Sequence, residues 1–173
     1  MSDWVICSKG HEHFGRFGAA GILIYRFRPS GEVEMLIGQR AGKGDWSTIG
    51  GFLDEGEIAE NGALRELREE IGLDARDLVE YTGFAINDHG GWKYTTIVAT
   101  LKGPPLDMTK LRLQKSEITA VAWVTRRDLD MRRYVLHPGF AETARVLEYL
   151  LPPNIDPKTG KVTEEFQKLL ENW

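Results

Sequence analysis

The chain has 173 residues, 42% of them hydrophobic and 28% charged, with a formal net charge of −4 and a pI near 5.6. It is long enough for a single domain with a sizeable core, and its acidic balance excludes a broad nucleic-acid-binding face. No apolar run reaches the roughly 18 residues of a membrane span, no signal peptide precedes Trp4, and a lone cysteine, Cys7, excludes an internal disulfide, so the expectation is a cytoplasmic protein.

Residues 1–15 are polar and read as irregular. Cys7, His11 and His13 begin a zinc-ligand pattern, but a tetrahedral site needs a fourth ligand at plausible spacing and none follows, so they read as surface histidines beside a buried thiol. Arg16 to Arg28, apolar at Ala19, Ala20, Ile22, Leu23, Ile24, Tyr25 and Phe27, is a buried strand. Pro29, Ser30 and Gly31 make a turn, and Val33 to Arg40 a second strand. A glycine-broken loop, Ala41 to Asp45, then leads through Trp46 to Ile49, Gly50 and Gly51.

The segment from Gly50 to Leu73 is a glycine turn followed by a helix over Glu57 to Ile71. Ala63, Leu64, Leu67 and Ile71 share one arc at about 100° per residue and form its packing face, while Glu66, Glu69 and Glu70 fall on the other side. Neighbours three and four apart stand about 5–6 Å apart at Cβ, so these carboxylates repel one another unless Arg65 or a divalent cation relieves them. From Gly51 to Leu73 there are seven carboxylates against two arginines, more negative than the whole chain. Ala59 and Gly62 leave room beside the carboxylates for a phosphate group, at a cost for Gly62 of about 1 kcal/mol in helix propensity. Asp54 and Glu57 have the form of a capping box, and Gly72 stops the helix.

Leu78 to Ile86 and Trp92 to Leu101 are further strands, joined by Asn87 to Gly91, where Asp88, His89 and the flanking Trp92 are candidates for substrate contact. Lys102 to Leu113 is irregular, Glu117 to Val124 is a strand, and Arg126 to Arg133 is a mixed-charge connector. Pro138 opens a helix with an apolar stripe that includes Phe140 and Ala144 and is closed by Pro152 and Pro153. Residues 154–160 read as a linker and Thr163 as the cap of a last helix. Its Phe166, Leu169 and Leu170 need a surface to pack on, in this domain or in the second subunit of a homodimer.

Gly51, Glu57, Arg65, Glu66, Leu67, Glu69, Glu70, Gly72 and Leu73 match G-x5-E-x7-R-E-U-x-E-E-x-G-U, where U is a bulky aliphatic residue, without a mismatch. The chain therefore resembles the Nudix hydrolases. The resemblance implies one domain over residues 1–173, with its core over about 16–151, and an α/β fold, an α/β/α sandwich with a mixed β-sheet. It also implies a hydrolase that uses Mg²⁺ or Mn²⁺ to cleave a nucleoside diphosphate linked to another group. By this likeness Glu69 and Glu70 are the principal metal ligands, with the Gly50 carbonyl and Glu57 supporting them. Glu66 is a ligand or the base, and Arg65 orients the carboxylates. Glu117 corresponds best to a late glutamate that serves relatives as an extra ligand or base, and Arg40 to a position that touches phosphate. Ile49 stands where many relatives carry a proline. Trp46 and Trp92 are candidates to stack on a base. The proline and tyrosine that accompany ADP-ribose and dinucleoside polyphosphate substrates in relatives are absent near Asp88 and His89, which favours a nucleoside triphosphate or a modified one by elimination. An ADP-ribose or nucleotide-sugar pyrophosphatase is the alternative, and a non-catalytic nucleotide sensor of the same fold is the competing class.

Overall fold

The computed structural model describes residues 3–30, 32–150, 163 and 164. The expected turn residue Gly31, the stop at Pro152 and Pro153, the linker 154–160 and the helix carrying Phe166, Leu169 and Leu170, with any dimer face it offers, lie outside the described residues. The N-terminal segment is more regular than its polarity suggests. Trp4–Ile6 (β1) and Glu12–Phe14 (β2) pair as an antiparallel hairpin, with Trp4 opposite Phe14 and their rings edge to face, 5.3 Å between centroids.

The next strands are Ala19–Phe27 (β3), Val33–Arg40 (β4), Trp46–Ser47 (β5) and Ile49–Phe52 (β6). Helix α1, Ala59–Ile71, follows, then Val79–Asp88 (β7), Lys93–Leu101 (β8), a 3₁₀ turn at Met108–Lys110, and Ile118–Thr125 (β9). Helices α2, Arg126–Asp130, and α3, Pro138–Leu150, complete the order. The expected connector at Arg126 is thus a short helix, because Thr125 and Asp128 form a reciprocal capping box at its start.

The seven-stranded sheet is mixed: β3 runs parallel to β8 and antiparallel to β4 and β6, while β7 pairs antiparallel with β8 and β9 antiparallel with β4. Strand β3 is central and buried on both faces, and its alternation sorts the core. Ala20, Ile22 and Ile24 pack with Ala63, Leu64, Leu67 and Ile71 of α1, whereas Leu23 and Tyr25 pack with Val98, Val124, Leu129 and Phe140 on the other face. Helices on both faces give the α/β/α layering. Each Leu or Ile buried here contributes about 1.5–3 kcal/mol by removing apolar surface from water. Ile49, fully buried opposite Ile22, anchors the turn by packing where a proline would restrict it covalently.

Helix α1 ends as expected, on Gly72 with φ 72° and its N–H returned to the Arg68 carbonyl. Its start differs. Ile58 occupies the cap position without a side-chain bond, and Asp54 and Glu57 instead close the preceding turn, Asp54 N–H donating to Glu57 Oε2 at 3.0 Å. The carboxylate face differs too: only Glu69 is exposed, while Glu66 and Glu70 are 8% and 6% exposed, because the β6 turn covers them.

Candidate metal and phosphate site

Two glycines set the site's floor. A Cβ on Gly50 would run into the Ala20 carbonyl, and one on Gly51 would stand 2.6 Å from the Glu66 carboxylate, so only glycines let β6 pass this close to both β3 and α1. Gly50 N–H donates to Glu70 Oε2 at 3.0 Å. The structure thus joins the glycine turn to the helix through the backbone amide of Gly50.

A further wall is the approach to β9. The last carbonyls of α1 have no intrahelical partners, and the following loop satisfies two of them: Gln114 N–H donates to the Glu70 carbonyl at 2.8 Å and Arg112 N–H to that of Ile71 at 2.9 Å. Gln114 also steadies Glu117, its Nε2 donating to Glu117 Oε1 at 2.8 Å. Glu66, Glu70 and Glu117 consequently converge, with one carboxylate oxygen from each lying within 4.8 Å of the others. The role of Gln114 was not legible beforehand, since no motif marks it.

Burial pushes the Glu70 carboxyl up to about 8, reinforced by Glu66, and burial also raises Glu66 against the pull of Arg65. Hard oxygen donors crowded in this way suit a divalent cation, whose charge would relieve their repulsion and burial together. Glu57 and Glu69, expected in the same cluster, are not part of it. Both are turned to Arg65, which lies at 2.8 Å from Glu57, 2.7 Å from Glu66 and 3.3 Å from Glu69, and whose Nη2 also donates to the Phe52 carbonyl at 2.7 Å. The hydrogen bonds from Arg65 hold Glu57 below the usual carboxylate range. Gly62 finds a different use from the one expected. A Cβ there would collide with Leu53 and come within 3.1 Å of Glu57, so the small residue admits the covering loop.

Arg40 ends β4 beside a register shift, its Nη1 buried without a hydrogen bond and 3.7 Å from Asp45 Oδ2. Its neighbour Ala41 donates its N–H to the Glu117 carbonyl at 2.7 Å, which puts Arg40 at the carboxylate end of the sheet. Beneath the turn, Tyr94 Oη and Thr48 Oγ1 are 2.9 Å apart, and burial pushes the tyrosine up to about 12. The other candidates make different contacts. Trp46 sets its ring edge to face with Tyr134 at 5.0 Å and joins the second core cluster. Asp88 accepts from Gly90 N–H and pairs with Lys93, whereas His89 and Trp92 face the N-terminal hairpin.

A mixed sheet between helices, with a glycine turn laid against a glutamate-bearing helix, defines a protein class. The chain belongs to the NUDIX family, whose domain profile matches residues 16–150. It is 36% identical over 150 residues to "Putative 8-oxo-dGTP diphosphatase 3" of Mycobacterium tuberculosis, covering 80% of this chain and 64% of that protein. It is also 36% identical over 136 residues to the "Nucleoside triphosphate pyrophosphatase/Nudix hydrolase fusion protein" of Bifidobacterium longum, covering 75% of this chain and 28% of that one. Among solved structures, the Nudix hydrolase RenU of M. smegmatis superposes with a TM-score of 0.71 at 27% identity, over 86% of this chain and 96% of that chain. No helix among the described residues is long and apolar enough to cross a membrane.

Proposed function

We propose that the chain is a hydrolase cleaving a diphosphate linkage in a nucleotide, with Mg²⁺ or Mn²⁺ held by Glu66, Glu70 and Glu117 and with Glu69 at the rim. The convergence of those three carboxylates within 4.8 Å carries the reading. When bound, the cation neutralises phosphate oxygens and sharpens the attack of water on phosphorus. The chain supplies the rest. Gly50 N–H and Arg65 hold Glu70 and Glu66 in place before substrate arrives, so little reorganisation accompanies the reaction. Glu66, Glu69 and Glu117 are the carboxylates available to take the proton of the attacking water, and Arg40 offers a cation to the departing or retained phosphate.

A nucleoside triphosphate, or one with a modified base, is the favoured substrate. The names of the mycobacterial and bifidobacterial relatives support it, as does the absence of the residues that accompany ADP-ribose and dinucleoside polyphosphates. We read residues 16–151 as the core of one catalytic domain. Incubation with a panel of nucleoside triphosphates, 8-oxo-dGTP, ADP-ribose and nucleotide sugars, with Mg²⁺ or Mn²⁺ and then with EDTA, tests this. Turnover of a triphosphate that EDTA abolishes and Mg²⁺ restores is expected. Unchanged turnover in chelator would overturn the metal assignment, and tight binding without turnover of any substrate would make the chain a nucleotide sensor.

A further inference from the structure

A second cluster lies away from the carboxylates. Cys7, His11, His13 and His89 each offer a ligand atom, and these four atoms lie within 4.8 Å of one another. The missing fourth ligand of the N-terminal pattern is therefore present. It comes from the turn between β7 and β8, too far along the chain for any spacing rule to connect it.

The surroundings are shaped to bring these side chains together. Cys7 N–H donates to the His11 carbonyl and Gly10 N–H to the Cys7 carbonyl, both at 2.9 Å, with Gly10 in the left-handed region at φ 79°, so the hairpin turn folds back on the thiol. Across the cleft, Ser8 N–H donates to the Gly90 carbonyl at 2.8 Å and Ser8 Oγ to the His89 carbonyl at 3.0 Å. His13 stacks on Trp92 with ring centroids 4.1 Å apart, and Trp92 is itself fixed by donating to the Gly15 carbonyl at 2.9 Å. The donors point at one another with little else to bind. His13 Nε2 is buried without a hydrogen-bond partner, Cys7 is a buried free thiol, and His11 Nδ1 faces His89 Nδ1 at 3.5 Å.

We propose that Cys7, His11, His13 and His89 form a structural zinc site. One thiolate and three imidazoles are borderline-soft donors that suit Zn²⁺, whereas Mg²⁺ and Mn²⁺ prefer the oxygens of the carboxylate site, so the two clusters sort metals by donor chemistry. Zn–S bonds of about 2.3 Å and Zn–N bonds of about 2.0–2.1 Å place tetrahedral ligands roughly 3.3–3.7 Å apart, and a side-chain closure of about 1 Å reaches that geometry. Binding releases the Cys7 thiol proton to solvent. Four protein ligands leave no open position, which makes the ion a clamp between the two hairpins. The clamp also reaches the carboxylate site. Phe14 of the clamped hairpin packs edge to face on Phe52 at 5.0 Å, and the Phe52 carbonyl accepts from Arg65.

The test uses the full chain without a histidine tag, stripped of metal, then exposed to zinc in excess Mg²⁺ and passed through a desalting column. About one retained zinc per chain is expected by elemental analysis, together with a rise in melting temperature. In the cobalt(II) form, a thiolate-to-cobalt charge-transfer band should accompany the visible bands of a tetrahedral ion. Cys7→Ser should lose the charge-transfer band, and His89→Ala should weaken zinc binding at least about tenfold. His11→Gln, at an exposed position, gives the same readout should either of the other variants fail to fold. Zinc well below one per chain, or retention unchanged in Cys7→Ser or in His11→Gln, would overturn the proposal.

Discussion

Arg65 holds Glu57 in a fork, Nε donating to Oε1 at 3.0 Å and Nη2 to Oε2 at 2.8 Å, while Nη1 reaches Glu66 Oε1 at 2.7 Å. A single guanidinium therefore ties the loop before α1 to a carboxylate of the converging cluster. The planar fork matters as much as the charge, because a lysine ammonium cannot make both bonds to Glu57 and still reach Glu66.

Arg65→Lys is therefore expected to behave as a damaging change. It should lower stability by about 1–2 kcal/mol and turnover by at least about tenfold, read from thermal melts and steady-state rates. Wild-type turnover in the lysine variant would mean that charge alone suffices.

Glu70→Gln and Leu67→Ala separate the two faces of α1. The first removes a buried carboxyl that a bound cation would hold ionised, and should cut turnover by at least about two orders of magnitude while leaving the fold intact. Leu67 is completely buried, so its truncation should cost about 2–5 kcal/mol with activity per folded molecule largely retained. Equal stability losses in the two variants, with no specific loss of rate in Glu70→Gln, would reverse this assignment of faces.

Gly51→Ala adds one methyl where the Glu66 carboxylate stands 2.6 Å away. The glutamate has to move, and with it the contact to Arg65. Turnover should fall at least about tenfold, for a modest loss of about 1–2 kcal/mol in stability. Combining it with Glu66→Ala, which vacates the space, should restore the lost stability but not the rate.

Glu34 predicts an acid limb to the stability profile that is independent of the carboxylate cluster. Burial would raise its carboxyl, but hydrogen bonds from Arg28 Nε and Arg26 Nε, both at 2.8 Å, outweigh burial and bring it below 4.5. With the folded value depressed, its contribution is fully present above about pH 4.5 and is lost as pH falls through the folded value. Glu34→Gln should destabilise the protein by about 1–3 kcal/mol near pH 7 and flatten the fall below pH 4.5, as read from denaturant midpoints across pH. An unchanged acid limb would show that the half-exposed arginines contribute little.

The buried arc of α1, its stop at Gly72, the central strand β3 and the glycine turn are all written in local spacing, because a helix or strand repeats every few residues and a short side chain or its absence acts where it stands. The same local rules allotted the three helix glutamates to one exposed face. Packing divided them, since β6 crosses above Glu66 and Glu70 while Glu69 stays outside with Arg65. Two further relationships lay beyond local spacing, and of these only the place of Glu117 was expected, from the family likeness. Glu117 reaches the cluster only because the loop before β9 satisfies the open carbonyls of α1, and His89 meets His11 from 78 residues away because two hairpins hydrogen-bond to each other. Contacts between such distant residues depend on where the sheet brings its loops together, which a one-dimensional pattern of residue types does not encode.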